Sequence, residues 1–378
     1  MKNILFIGPY RQSDGWGEQA RAYAMALKAT GHNICLRAIY MGGAITNNIP
    51  ADIIEMERDI SHKCEKFDII IQNVLPQLLE FSNDSDVKNI ALCAFETAQL
   101  EHTLWPRYIN KVDELWVASE QEADDIKASG VTIPIRSVPA PIDTDKFNRD
   151  YDNTSWLKLG LGDKFVFYFI GEYIPRKNLQ ALITAFHREF QPNEPVELLI
   201  KTNRGGHNHQ QLTALVRDDI IKQKEALTLY NNIDRYKPEW VITEFMSEDH
   251  LCALHQTCNC FVMPSRGEAC CRPLLDAQGF GNPCIVTKNT GMTSYVDSVS
   301  GWLVPSERVP VMSTEHPLPY LYTSHELWSE INIIELQRSM REAFIENGLK
   351  QKQRTANCKE NIKQFSYNNI AERMNILL

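Results

Sequence analysis

No stretch of this 378-residue sequence approaches the roughly 20 consecutive apolar residues that a membrane-spanning helix needs. The apolar run near the N-terminus, Ile4-Leu5-Phe6-Ile7, is too short for a signal peptide and reads as a first β-strand. Contact with a membrane surface stays open, because amphipathic surfaces do not show in such a scan. An excess of positive charge is also missing. Lys and Arg number 39 against 48 Asp and Glu, a formal charge of -9. That balance argues against a general nucleic-acid binder. None of the ten cysteines forms a CxxC pair. Cys258/Cys260 and Cys270/Cys271 are too close for ordinary disulfide or zinc geometry, so the thiols read as reduced and buried in a cytoplasmic protein. No low-complexity tract occurs.

An apolar content of 43% and a charged content of 23% are those of a globular chain. The length suits two domains. Short apolar runs recur at Asn3–Ile7, Asn33–Ala38, Phe67–Gln72, Asn89–Ala94, Glu114–Ala118 and Ile135–Val138, with helical patterns between them. A second series starts at Phe165–Ile170 and continues at Val196–Lys201, Trp240–Glu244, Cys260–Met263, Pro283–Thr287 and Gly301–Val304. Strand alternating with helix predicts an α/β fold with parallel sheets covered on both faces, twice over. The proline-rich link Pro139–Phe147 marks the boundary. The expected division is a first Rossmann-like domain over 1–147, a second over 148–361, and a C-terminal helix over 362–378. Tyr367, Ile370, Met374 and Leu377 fall in helical register in that last segment.

The densest chemistry lies between Pro264 and Ala277. A strand, Cys260–Met263, runs through Pro264-Ser265-Arg266-Gly267-Glu268-Ala269-Cys270-Cys271-Arg272 into a helix opened by Pro273. Backbone N–H groups at Ala269 to Arg272, with the helix dipole, suit a phosphate. Glu268 suits sugar hydroxyls, and Asp276 suits the paired hydroxyls of a ribose. The plainer reading is that Glu268 caps the helix and Asp276 complements its dipole.

This segment resembles the nucleotide-sugar signature of family 4 (group 1) glycosyltransferases, in which a Glu, seven residues and a second acid follow a Pro-Ser turn. The resemblance continues at Gly279–Val286, Gly291-Met292, Gly301–Val304 and Glu248–Leu251, and earlier at Trp116–Ser119, Gly130-Val131 and Val138–Asp143. It implies the GT-B fold, two Rossmann-like domains facing across a cleft, with the last helix returning to the first domain. It implies a retaining transferase that takes a sugar from a nucleoside-diphosphate sugar, UDP- or GDP-linked, and needs neither metal nor other cofactor. The acceptor would be a glycan, a lipid-linked molecule or another hydroxyl compound, and the location cytoplasmic, with peripheral contact at the inner membrane face left open.

The resemblance also assigns roles. Lys177 matches the family's phosphate-binding lysine. The matching arginine position, after Gly171, holds Glu172, so the second positive charge falls to Arg176, Arg266 or Lys201. The plainer reading of Arg176 and Lys177 is a solvated helix start. Gly15, Trp16 and Gly17 resemble the loop that approaches donor sugar and diphosphate; a flexible loop before a helix is the alternative. Their GxGxxA spacing is not a dinucleotide fingerprint, because the loop after Ile7 is too long and no acid follows the second strand near Ala38. Glu96 follows a strand end, as a Glu-Thr pair does in some relatives, and is the candidate for acceptor contact or base. Catalytic roles thus fall to Glu96, Lys177 and Glu268, and donor binding to Gly15, Trp16, Gly17, Arg176, Lys201, Arg266, Gly267, Ala269, Cys270, Cys271, Arg272 and Asp276. His102 is a weaker candidate. Gly205–His209 has two histidines but no nearby acids, so it reads as a surface loop rather than a metal site. Asp143-Thr144-Asp145 reads as a turn and cap. Two other functions share the pattern: a nucleotide-sugar epimerase, and a non-catalytic sugar-nucleotide binder.

Overall fold

A computed structural model describes residues 1–58, 66–161, 163–312, 322–346 and 348–378. The chain forms two compact units. Unit 1 holds Met1–Thr144, 322–327 and Lys363–Leu378; unit 2 holds 145–312 and Trp328–Ile362. The change from one to the other falls between Thr144 and Asp145, inside the proline-rich link.

Unit 1 begins with β1 (Asn3–Gly8), α1 (Gly15–Ala29), β2 (Asn33–Ala38), α2 (Ala51–Arg58) and β3 (Ile69–Gln72). β4 (Lys88–Leu92), α3 (Trp105–Ile109), β5 (Glu114–Val117), α4 (Glu120–Ala128) and β6 (Ile135–Ser137) follow. All pairings are parallel, in the order β2-β1-β3-β4-β5-β6. Near-continuous apolar strands such as Ile4-Leu5-Phe6 and Leu115-Trp116-Val117 are buried, as strands covered on both faces must be.

Unit 2 contains α5 (Thr154–Lys158), β7 (Phe165–Glu172), α6 (Leu179–Glu189), β8 (Val196–Asn203), α7 (His209–Leu227), β9 (Trp240–Ile242), α8 (Glu248–Thr257) and β10 (Cys260–Met263). It continues through α9 (Arg272–Gly279), β11 (Cys284–Thr287), β12 (Gly301–Val304), β13 (Ser306–Pro310), β14 (Leu327–Ile331), α10 (Ile333–Ile345) and α11 (Gly348–Lys363). Its six-stranded sheet is also parallel, ordered β12-β11-β10-β7-β8-β9. The expected α/β class and both expected strand series are present. β13 and β14 add a separate two-stranded sheet.

The last helix, α12 (Tyr367–Leu377), belongs to unit 1 and packs on α1. Ser366 caps it by accepting the Asn369 N–H, and Ile370, Ala371 and Met374 are its buried face. Burying an Ile and a Met contributes about 1.5–3 kcal/mol each. Among the described residues, no helix is long and apolar enough to cross a membrane.

Each sheet has a point where the strand order reverses. In unit 1 it lies between β1 and β3; in unit 2 it lies between β7 and β10. Loops at the carboxyl ends of strands flanking such a point form a crevice, where open α/β sheets bind ligands. The loop after β1 is tightly built. Asp14 Oδ1 accepts the Gly17 N–H at 3.0 Å, and Arg21 donates to the carbonyls of Tyr10 and Gln12, each at 2.7 Å. A Cβ at Gly17 would sit 2.0 Å from the Gln12 carbonyl oxygen. Gly17→Ala is therefore expected to destabilise unit 1 by about 1–3 kcal/mol, measured as a lower urea midpoint.

Candidate functional site

The site in unit 2 is assembled by two loops at that reversal. The first follows β7. The strand's buried core, Val166 to Phe169, fixes it at the sheet centre. Pro175 then opens a 3-10 turn, Pro175–Lys177, and Asn178 closes it in the left-handed region, with φ at 55°. Asn is among the few non-glycine residues that adopt this conformation readily. Arg176 and Lys177 are thereby held at the carboxyl end of β7.

The second loop follows β10. Ser265 is fully buried, and its hydroxyl lies 3.1 Å from the Arg176 carbonyl and 3.0 Å from that of Gly267. The Arg266 N–H donates to the Arg176 carbonyl at 2.7 Å. These bonds join the two loops before any charge is considered. Glu268 then receives both cations: Lys177 Nζ at 2.5 Å and Arg176 Nη1 at 3.2 Å, both on Oε1. Arg176 Nη1 also donates to the Gly267 carbonyl at 2.5 Å. Side-chain exposure is 4% for Glu268, 13% for Arg176 and 14% for Lys177. Burial pushes the Glu268 carboxyl up, but the charges of Lys177 and then Arg176 outweigh it, and the acid is held below its ordinary range. Glu268 is thus an ionised partner of the turn after β7. It does not cap α9: the N-cap is Cys271, which makes no side-chain cap bond. Nor are Arg176 and Lys177 a solvated helix start.

The remaining candidates disperse. Arg266 engages Glu330 through its Nε and lies over the Trp328 ring, 5.1 Å from its centroid. Glu330 also accepts from Asn178 Nδ2 at 2.9 Å. Lys201 is buried at the end of β8, with Nζ 3.3 Å from the Thr202 carbonyl; burial lowers its pKa against the opposing charge of Glu244. Glu172 is exposed at the end of β7, so a carboxylate does stand where the resemblance implies an arginine. Ala269 and Cys271 are buried, Cys270 is half-buried, and Arg272 is the first residue of α9. Asp276 pairs with Lys146, Oδ1 to Nζ 2.7 Å. His207 and His209 are exposed, and no cluster of metal-capable side chains occurs among the described residues.

In unit 1, Gly15 and Trp16 open α1 beside the buried Gly17. Glu96 is half-buried in the segment after β4. His102 is exposed, its ring 4.1 Å from that of His325. The segment carrying Glu96 is anchored by Glu122, which sequence reasoning missed. Glu122 is buried, accepts the Phe95 N–H at 2.8 Å and receives the Ser119 hydroxyl at 3.0 Å. Lys146 and Glu330 were also not legible. Their partners lie far along the chain, and no spacing pattern signals them.

Both sheets have the doubly wound parallel pattern, and the fold is that of GT-B glycosyltransferases. Residues 158–313 match the family of group 1 glycosyl transferases. No curated protein sequence matches the chain. Among solved structures, sucrose-phosphate synthase from Thermosynechococcus elongatus is 15% identical over 100% of this chain and 98% of that one, with a TM-score of 0.66. Anabaena Alr3699/HepE in complex with UDP-glucose is 16% identical over 100% and 99%, with a TM-score of 0.65. A trehalose-6-phosphate structure from E. coli bound with UDP-2-fluoro glucose is 9% identical over 98% of each chain, with a TM-score of 0.69.

Burial pushes the Glu122 carboxyl up to about 8. A carboxyl raised on folding binds its proton more tightly in the native state. Its stabilising contribution is full below the unfolded value near 4.5 and is lost as pH rises through about 8. Unit 1 is expected to lose stability between about pH 5 and 8, and Glu122→Gln to flatten that slope in urea titrations across the range.

Proposed function

We propose that this chain is a retaining glycosyltransferase that moves a sugar from a nucleoside-diphosphate sugar to a hydroxyl of a glycan, lipid-linked or other acceptor. The observation that carries the reading is the Arg176–Lys177–Glu268 cluster at the strand-order reversal of unit 2, inside the segment that matches group 1 glycosyl transferases. The UDP-glucose and UDP-2-fluoro glucose held by two of the structural neighbours support a UDP-sugar as donor.

The chemistry follows from charge. Breaking the bond between the sugar's anomeric carbon and the diphosphate oxygen leaves the electron pair on the nucleoside diphosphate. Cations fixed beside that oxygen stabilise the transition state more than the ground state. Lys177 and Arg176 take this role, and the backbone N–H groups from Ala269 to Arg272 add donors for the phosphate oxygens. Glu268 accepts hydrogen bonds from the donor sugar, and Asp276 from the ribose. Unit 1 is assigned the acceptor, with Glu96 contacting its hydroxyl and Gly15 to Gly17 approaching the donor. Retention of configuration is what the sequence resemblance supports. The nine described cysteines are all free thiols, eight of them buried, which supports a reducing compartment such as the cytoplasm.

A thermal-shift screen of UDP-, GDP-, ADP- and CMP-sugars is expected to show a rise in melting temperature for the true donor. Lys177→Ala and Glu268→Ala are each expected to lower transfer about 100-fold or more while leaving the far-UV circular dichroism unchanged. Full activity in both variants would remove the site assignment. Because the positive charge comes from side chains, transfer is expected to persist in EDTA. Activity lost to EDTA and restored by Mg²⁺ would overturn the metal-free part of the mechanism.

A further inference from the structure

Asp276 and Lys146 are both in unit 2 but come from distant parts of the sequence. Lys146 Nζ lies 2.7 Å from Asp276 Oδ1 and 3.5 Å from Glu248 Oε1. The lysine side chain is 8% exposed, that of Asp276 22% and that of Glu248 75%. The ammonium is enclosed, whereas Asp276 keeps an open edge. Glu248 is a surface group whose attraction is screened by water.

The turn that carries Lys146 is built onto α9. It is a 3-10 turn, Asp145–Asn148, and the Tyr151 hydroxyl donates to the Lys146 carbonyl at 3.0 Å. The next residue, Phe147, packs flush against Gly279: a Cβ there would lie 2.2 Å from the ring. The Phe147 ring also meets Phe280 edge-on, with centroids 5.2 Å apart. Asp276 and Gly279 are three residues apart on α9 and share one face of it. Two consecutive residues of the turn therefore grip that face, Phe147 by packing and Lys146 by charge.

A buried ion pair of this kind is a poor device for stability alone, because well-packed apolar residues do as well or better. Its distinctive effect is to keep a carboxylate charged and fixed inside the protein. The charged and titratable groups around Asp276 are Lys146 from the turn, Glu248, Cys252 and His255 from α8, and Arg272 from its own helix. Burial pushes Asp276 up, but Lys146, then His255 and Arg272, draw it below the ordinary carboxylate range. Burial also pushes His255 down to about 4, so at neutral pH the compensating cations are Lys146 and Arg272.

We infer that Lys146 is a positioning residue for Asp276: it holds this carboxylate ionised and oriented so that the open edge receives the two hydroxyls of the donor's ribose. The inference rests on the transferase reading above and adds a residue of the interdomain link to the donor site. Lys146 itself touches no substrate. Its effect passes through Asp276 and falls on the ribose alone.

The test is calorimetric titration with UDP, GDP and ADP and with their 2′,3′-dideoxy forms. The proteins are wild type, Lys146→Met, Lys146→Gln, Lys146→Arg, Asp276→Asn and the double variant Lys146→Met/Asp276→Asn. Wild type is expected to prefer the ribose form of its nucleotide. Either neutral variant at Lys146 is expected to shrink that preference about tenfold or more, the range for a charged hydrogen bond. It should also bring a new loss of ribose binding as pH falls, because an unpaired buried carboxylate takes up a proton more readily. Lys146→Arg should restore most of the preference, and the double variant should discriminate no worse than Asp276→Asn. If the neutral variants weaken ribose and dideoxy forms equally, with no new pH dependence, Lys146 is only structural and the inference falls while the transferase reading stands. If wild type binds none of the three nucleotides, both fall.

Discussion

A carboxylate removed from water between two cations organises the candidate site of unit 2. Glu268 is almost wholly enclosed, and an isolated charge there would cost several kcal/mol. Lys177 and Arg176 offset that cost, and in doing so they tie the loop after β7 to the loop after β10. The strand order reverses between those same two strands, so the ionic bond closes the floor of the crevice that the topology opens. The cations are therefore pre-aligned by an internal anion. On the proposed reading, a diphosphate arriving at the crevice would meet charges whose positions are already set, which is how electrostatic stabilisation avoids a reorganisation cost.

A second acid on the same stretch is handled by the same logic with different parts. Asp276 is neutralised by Lys146, from the link between the units, rather than by the turn after β7. The two carboxylates of the signature thus have separate counter-ions, and the loss of one pair need not unsettle the other. Glu172, exposed at the end of β7, adds no positive charge there, while the Arg176 guanidinium both pairs with Glu268 and anchors the Gly267 carbonyl.

The architecture was largely legible in the sequence because each central strand is a short, unbroken apolar run, and burial on both faces leaves no other way to use such runs. Phe165–Ile170 and Cys260–Met263 illustrate this: their apolar limits are close to the strand limits. The β13–β14 pair was not foreseen, since Ser306–Pro310 includes Glu307, Arg308 and Pro310 and shows no apolar run. At the site, resemblance gave Glu268 and Lys177 separate roles toward one donor, and nothing in the sequence pointed to the ion pair between them. Arg266 counts as a phosphate-binding candidate by position, yet its guanidinium engages Glu330, 64 residues away, and lies over the Trp328 ring. Lys146 with Asp276 and Glu122 with Phe95 are likewise tertiary pairs, and no local period encodes them.

The helix α12 has a consequence for how the molecule is made. It packs on α1, at the opposite end of the chain, and supplies buried side chains to unit 1. During translation the N-terminal residues emerge first. Unit 1 therefore waits, with the α1 surface uncovered, until the whole of unit 2 has left the ribosome. Parallel sheets already fold slowly, because their strand contacts join distant positions. The first unit to be synthesised is thus the last to be completed, because the face of α1 that α12 covers stays open until then.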